Sequence, residues 1–151
     1  MPKGNDTILN MGKQNKDLKE AGLKVTQPRL TILRFLEGAS QKHLTADEIY
    51  RQLNEDGQEI GLATVYRVLA QFEAAQLIHK HVFDDGSGRP AQACYELAVD
   101  EHHDHMVCLE TGEVVEFYDP QIEARQEEIA RSHGYEIVDH ALVMYVRRKA
   151  Q

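Results

Sequence analysis

The stretch from Thr45 to Phe83 limits the possible folds most sharply. Thr45-Ala46-Asp47-Glu48 matches the capping box, in which a threonine hydroxyl and a glutamate carboxylate satisfy backbone donors reciprocally, so a helix runs from here to about Asn54. Ile49, Tyr50 and Leu53 fall on its core side. After a polar turn around Gly57, Leu62, Val65, Leu69 and Phe72 recur at helical spacing, with Val68 near the same face, and predict a further helix from Leu62 to Ala74. Leu77 to Phe83 then alternates as a strand does, the Gly-rich DDGSGRP follows, and Ala93 to Leu97 supplies a second strand. Helices followed by such a hairpin suggest a winged helix-turn-helix.

The flanking segments extend this pattern. Asn15 to Ala21 reads as a short polar helix closed by Gly22. Thr26 caps the next helix, Pro28 fits its first turn, and Leu30, Ile32, Leu33, Phe35 and Leu36 form its apolar face up to Gly38. Downstream, His105 to Phe117 reads as a hairpin around Glu110-Thr111-Gly112. Asp119-Pro120 opens a helix to about His133, ended by Gly134, and the β-branched and aromatic residues from Tyr135 to Val146 predict a long final strand. The expected fold class is α+β: an N-terminal winged helix-turn-helix domain over residues 1–91, with a hinge at its end, and a small α/β domain over 92–151.

Charge divides the chain in the same way. Residues 1–82 hold eleven Lys and Arg against ten Asp and Glu, a net +1, whereas residues 83–151 hold six against fifteen, a net −9. An acidic half rich in histidine suits cations, and a near-neutral half can still present a local basic face to nucleic acid. Only two cysteines occur, Cys94 and Cys108, and neither belongs to a CxxC pair, so neither a disulfide framework nor a four-cysteine zinc site is expected. They read as small buried hydrophobes with inert thiols. No apolar run approaches the roughly 18 to 20 residues that span a bilayer, and the polar start lacks a secretory signal, so a cytoplasmic protein with no membrane partner is expected.

The run His102-His103-Asp104-His105 is the strongest chemical signal. Burying so many polar groups without partners is costly, so either solvent, in a polar loop, or a cation must satisfy them. If the run is extended, alternation sends His103 and His105 to one side and His102 and Asp104 to the other, which supplies two sites. Further ligands are available from Glu96, Glu116, Glu123 and His140, with His43 from the first half. Mixed imidazole and carboxylate shells suit Fe(II), Mn(II), Co(II) and Zn(II). His79, His81 and His133 read as strand or helix-end residues. On the helix starting at Leu62, the outward side carries Ala63, Thr64, Arg67 and Gln71 with Tyr66 at its boundary; Arg67 can bond guanine or phosphate and Tyr66 can pack on a thymine methyl. Lys24, Arg29 and Lys80 can reach phosphates or a minor groove.

Four motifs in order, AGLKVTQPRLTIL, EIGLATVYRVLAQFEAAQLI, HHDHMVCLETGEVVEF and IEARQEEIARSHG, resemble the ferric uptake regulator family from about Leu18 to Val146. The resemblance implies a winged-helix domain, a hinge and a dimerisation domain, working as a homodimer, or a tetramer of paired dimers, that binds AT-rich palindromic operator DNA when loaded with metal. Carried across by motif, His43, Glu96, His103, His105 and Glu116 resemble an inter-domain metal site, and His102, Asp104, Glu123 and His140 a site within the dimerisation domain. Lys24 resembles the residue that reaches the minor groove, Tyr66 and Arg67 the base-reading pair, and Arg29 a further DNA contact. Many members carry CxxC after the HHDH run; here Cys108-Leu109-Glu110-Thr111 lacks the second cysteine. Glu96 and Glu116 stand where peroxide-sensing members have aspartate, which favours the iron-responsive branch with Fe(II) as corepressor of iron uptake and homeostasis genes, over manganese, zinc or peroxide sensing. A metal-dependent hydrolase and a metal-buffering protein are the competing classes, and neither explains LATVYRVLAQF, nor does HExxH or a nucleophile motif occur.

Overall fold

The computed structural model describes residues 5–84, 86, 88–98 and 102–150, with side chains from residue 12 onward. Two compact units emerge, one comprising residues up to Phe83 together with Ala91–Ala98, the other Asp84–Pro90 and the chain from Val99 onward.

The first unit begins with α1 (Asn5–Glu20), longer than the polar helix expected from Asn15. Its side chains Leu18 and Gln14 are fully buried, and Gln14 bonds both Arg34 and Glu37. Helix α2 (Gln27–Gly38) is capped by Thr26, whose hydroxyl accepts from Arg29 N–H. The two-residue strand β1 (Leu44–Thr45) leads into α3 (Ala46–Glu55), where the capping box is present in full: Glu48 N–H donates to Thr45 Oγ1 at 3.2 Å and Thr45 N–H to Glu48 Oε2 at 2.8 Å. Helix α4 (Leu62–Ala74) buries Val65, Val68, Leu69 and Phe72, so Val68 belongs to the core face itself. These side chains pack with Leu18, Ile32, Leu33, Ile49, Leu53 and Ile78 into one apolar cluster.

Strands β2 (Ile78–Phe83) and β3 (Gln92–Leu97) form the wing hairpin, antiparallel, with Ile78 opposite Leu97 and His81 opposite Cys94. Strand β1 pairs on the far side of β3, giving the order β1-β3-β2. All of Gln92–Leu97 therefore lies in the first unit's sheet, and the break expected between residues 91 and 92 falls at the start of β3, between the two strands of one hairpin. A hairpin's second strand is held by its ladder, whatever the composition of the loop before it.

The second unit is a sheet of order β5-β4-β6, made of β4 (Asp104–Cys108), β5 (Val114–Phe117) and β6 (Val143–Val146), with α5 (Pro120–Ser132) between β5 and β6. The β4–β5 hairpin turns through Gly112 at φ +73, a conformation that side chains with a Cβ rarely adopt. Strands β4 and β6 are parallel, which requires a crossover, and α5 supplies it. Asp119 caps α5 through bonds to Gln121 and Ile122 N–H. The long strand expected from Tyr135 is a correction: only Val143–Val146 is strand. β4 offers five residues for pairing, and the β-prone segment before Val143 has no ladder neighbour among the described residues, so propensity alone does not make it a strand.

Candidate metal centres and nucleic-acid interface

Within the second unit, Asp104 opens β4 and its carboxylate has no exposed surface. His102 Nε2 lies 3.1 Å from Asp104 Oδ1 and 3.2 Å from Glu123 Oε1, and His140 Nε2 lies 3.1 Å from Glu123 Oε2. The Asp119 cap sets where α5 begins, and so presents Glu123 one turn later, facing the start of β4. One ligand atom from each of the four residues lies within 4.8 Å of the others. Atoms about 2.1 Å from a first-row divalent ion are separated by about 3.0 Å across an octahedral edge and about 3.4 Å across a tetrahedral one. The observed separations match such a shell. Asp104 Oδ2, Glu123 Oε1 and His140 Nε2 are moreover buried atoms that make no hydrogen bond among the described residues. They are close to neighbouring polar atoms yet not aimed at them, as expected of donors that share a cation. The residues fit a divalent metal with mixed nitrogen and oxygen ligands.

His103 and His105 lie on the other side of the run. Their rings meet edge-on with centroids 4.9 Å apart, and His103 Nε2 is 3.7 Å from Glu116 Oε1 on the neighbouring strand, where Glu116 pairs opposite His105. His105 is buried. The period of two along HHDH therefore separates the histidines as the sequence predicts.

In the first unit, His43 precedes β1, and its Nε2 is 3.0 Å from Glu96 Oε2 on β3. Glu96 is 4% exposed and its second oxygen, Oε1, is 2.6 Å from Nε2 of His81. Burial pushes this carboxyl up, but the hydrogen bonds from His43 and His81 outweigh it and hold the group well below the usual carboxylate range. The partnership of His81 with Glu96 is absent from the sequence reading, which treats His81 as a plain strand residue. The signal is the hairpin register: His81 opposes Cys94, so Glu96 is its diagonal neighbour on the same face. His133 does serve as a helix-end residue, its Nδ1–H reaching Ile129 O at 2.9 Å. Cys94 is half-buried, not a core residue as expected, and what burial it has pushes its thiol pKa up. Cys108 is buried, and a hydrogen bond with Thr111 lowers its thiol pKa.

The candidate nucleic-acid face is the outer side of α4. Tyr66 is 47% exposed, and exposed Arg67 extends Nη2 to Thr64 Oγ1 at 3.3 Å. Tyr66 and Lys80 of β2 line one shallow cleft of about 320 Å³, which places the helix and the wing along a single groove. Lys24 is exposed. Arg29 is more constrained: its Nε donates to Gln71 Oε1 at 3.1 Å and its Nη1 to Lys24 O at 2.7 Å, tying the start of α2 to α4 and to the preceding linker. Gln71, expected to face outward, is half-buried by this bond.

A winged helix-turn-helix joined to a unit with a mixed imidazole and carboxylate centre defines a metal-dependent transcriptional regulator, not an enzyme. The chain belongs to the ferric uptake regulator family, whose model matches residues 20–145. It is 56% identical over 136 residues to the ferric uptake regulation protein of Pseudomonas aeruginosa, covering 90% of this chain and 98% of that one. The solved structure of the P. aeruginosa ferric uptake regulator with manganese superposes with a TM-score of 0.79 at 54% identity, covering 91% of this chain and 98% of that one. The Francisella tularensis ferric uptake regulator with iron gives 0.75 at 44% identity, covering 85% and 93%. Among the described residues no helix is long and apolar enough to cross a membrane.

Proposed function

We propose that this chain is a cytoplasmic, Fe(II)-responsive repressor that binds AT-rich palindromic operators as a homodimer and controls iron uptake. The observation that carries the metal reading is the convergence of His102, Asp104, Glu123 and His140, with three buried donor atoms that make no hydrogen bond among the described residues. Iron is favoured because relatives carry the ferric uptake name and because Glu, not Asp, stands at 96 and 116. Mn(II) and Zn(II) suit the same donors.

The proposal has a second metal position. His43 and Glu96 of the first unit and His103, His105 and Glu116 of the second are each an incomplete donor set, and we infer that they close on one ion. A metal taking ligands from both units favours one arrangement of the DNA-binding domain over others. Arg67 and Tyr66 then read bases, Lys24 enters the minor groove, and Arg29 touches phosphate if its Nη2 is turned outward. A homodimer is supported by the second unit's uncovered apolar surface, where Val138 is 98% and Tyr135 75% exposed. The test is metal-titrated binding to operator and scrambled duplexes by wild type, His103→Ala and Arg67→Ala: the first variant should lose metal dependence, the second operator preference.

A further inference from the structure

We propose that His81 is a positioning residue for the metal site, holding Glu96 so that only one of its carboxylate oxygens faces His43. This rests on the reading of His43 and Glu96 as ligands. The two oxygens of Glu96 have different neighbours: Oε2 lies 3.0 Å from His43 Nε2, while Oε1 lies 2.6 Å from His81 Nε2. An imidazole N–H on Oε1 occupies that oxygen's in-plane direction and stops the carboxylate from rotating to present both oxygens to an ion. The 3.0 Å edge between Oε2 and His43 Nε2 subtends about 90° at a metal about 2.1 Å from each, so one oxygen and one nitrogen already span a cis edge.

The ring of His81 is itself held in place. It stacks on Phe83, two residues along the same strand, with centroids 5.6 Å apart and planes 5° from parallel. β2–β3 pairing fixes the backbone beneath it, with His81 opposite Cys94. Ligating carboxylates are commonly hydrogen-bonded in turn, and removing such an outer partner typically costs about 10–100-fold in metal affinity. His81 fits this role, with its side chain 22% exposed against 4% for Glu96.

The experiment is Co(II) titration of the full-length protein in a His140→Ala background, which removes a ligand of the other centre, recording affinity and the visible absorption bands that report coordination. His81→Ala should weaken binding about 10–100-fold and shift those bands as Glu96 becomes free to chelate through both oxygens. His81→Gln, whose amide N–H reaches the same oxygen, should restore most of the affinity and the wild-type bands. Thermal unfolding of the metal-free variants checks that each folds. Unchanged affinity and bands in His81→Ala, with binding lost in His43→Ala, would overturn the proposal alone. Equal loss in His81→Ala, His81→Gln and His43→Ala would also overturn it, making His81 a ligand. Binding retained in His43→Ala would overturn the metal reading of His43 and Glu96 beneath it.

Discussion

A carboxylate with no exposed surface requires a cation or several hydrogen-bond donors, and among the described residues Asp104 accepts one hydrogen bond, from His102 to Oδ1. Asp104→Asn should therefore leave the metal-free protein as stable as wild type or more so, because an uncompensated buried charge is removed. It should also bind one equivalent less Zn(II) per chain and lose the stabilisation belonging to that site. For a site with metal at a hundredfold excess over Kd, that stabilisation is about 2.7 kcal/mol. Elemental analysis and thermal melts with and without Zn(II) check both; an unchanged metal content would count against the site. The pairing of Asp104 with His102, away from His103 and His105, was legible because side chains alternate along a strand whatever the fold. The role of His81 was not legible. It depends on the register across the β2–β3 hairpin, and a loop of eight residues leaves that register open until the strands are paired.

Local rules located the elements whose ends carry strong signals. Thr45 with Glu48, Thr26 with Pro28 and Asp119 with Pro120 all stand at helix starts as their chemistry demands. The end of α4 breaks the pattern. There Gln76 takes φ +60, and Leu77 N–H reaches back to Phe72 O at 2.9 Å, a closure that usually employs glycine. Gln76→Gly should raise stability by up to about 1 kcal/mol, since the left-handed conformation is unfavourable for a residue with a Cβ; denaturant unfolding checks the sign. The bonds of Arg29 to Gln71 and Lys24 give a second prediction, as they hold α2 to α4. Arg29→Ala should lower unfolding stability by about 1 kcal/mol. Salt-dependent DNA binding separates this from a phosphate contact, whose loss reduces the salt slope by about one. The segment from Tyr135 to Leu142 has strand propensity but is not strand, because strand formation is a property of pairs and within one chain β4 offers too few residues to pair with it.

Across the molecule, two units of different character share one chain. The first is packed around Leu33, Ile49, Leu69 and Phe72 and presents the exposed side chains of α4; the second concentrates acidic groups and histidine and leaves apolar residues such as Val138 uncovered. Charge asymmetry made that division legible; the boundary expected at residue 92 precedes β3, whereas the compact units keep Ala91–Ala98 with the first, because the ladder holds that strand to β2. The central claim is that metal bound by these histidines and carboxylates controls DNA affinity. It is tested most directly by measuring binding to an AT-rich palindromic duplex and to a scrambled duplex of equal composition, with and without Fe(II) under anaerobic conditions. Coupling of about 1–3 kcal/mol, or roughly 5–150-fold tighter operator binding with metal, is the predicted result, with little gain on the scrambled duplex. Equal affinity for both duplexes at saturating metal would contradict it.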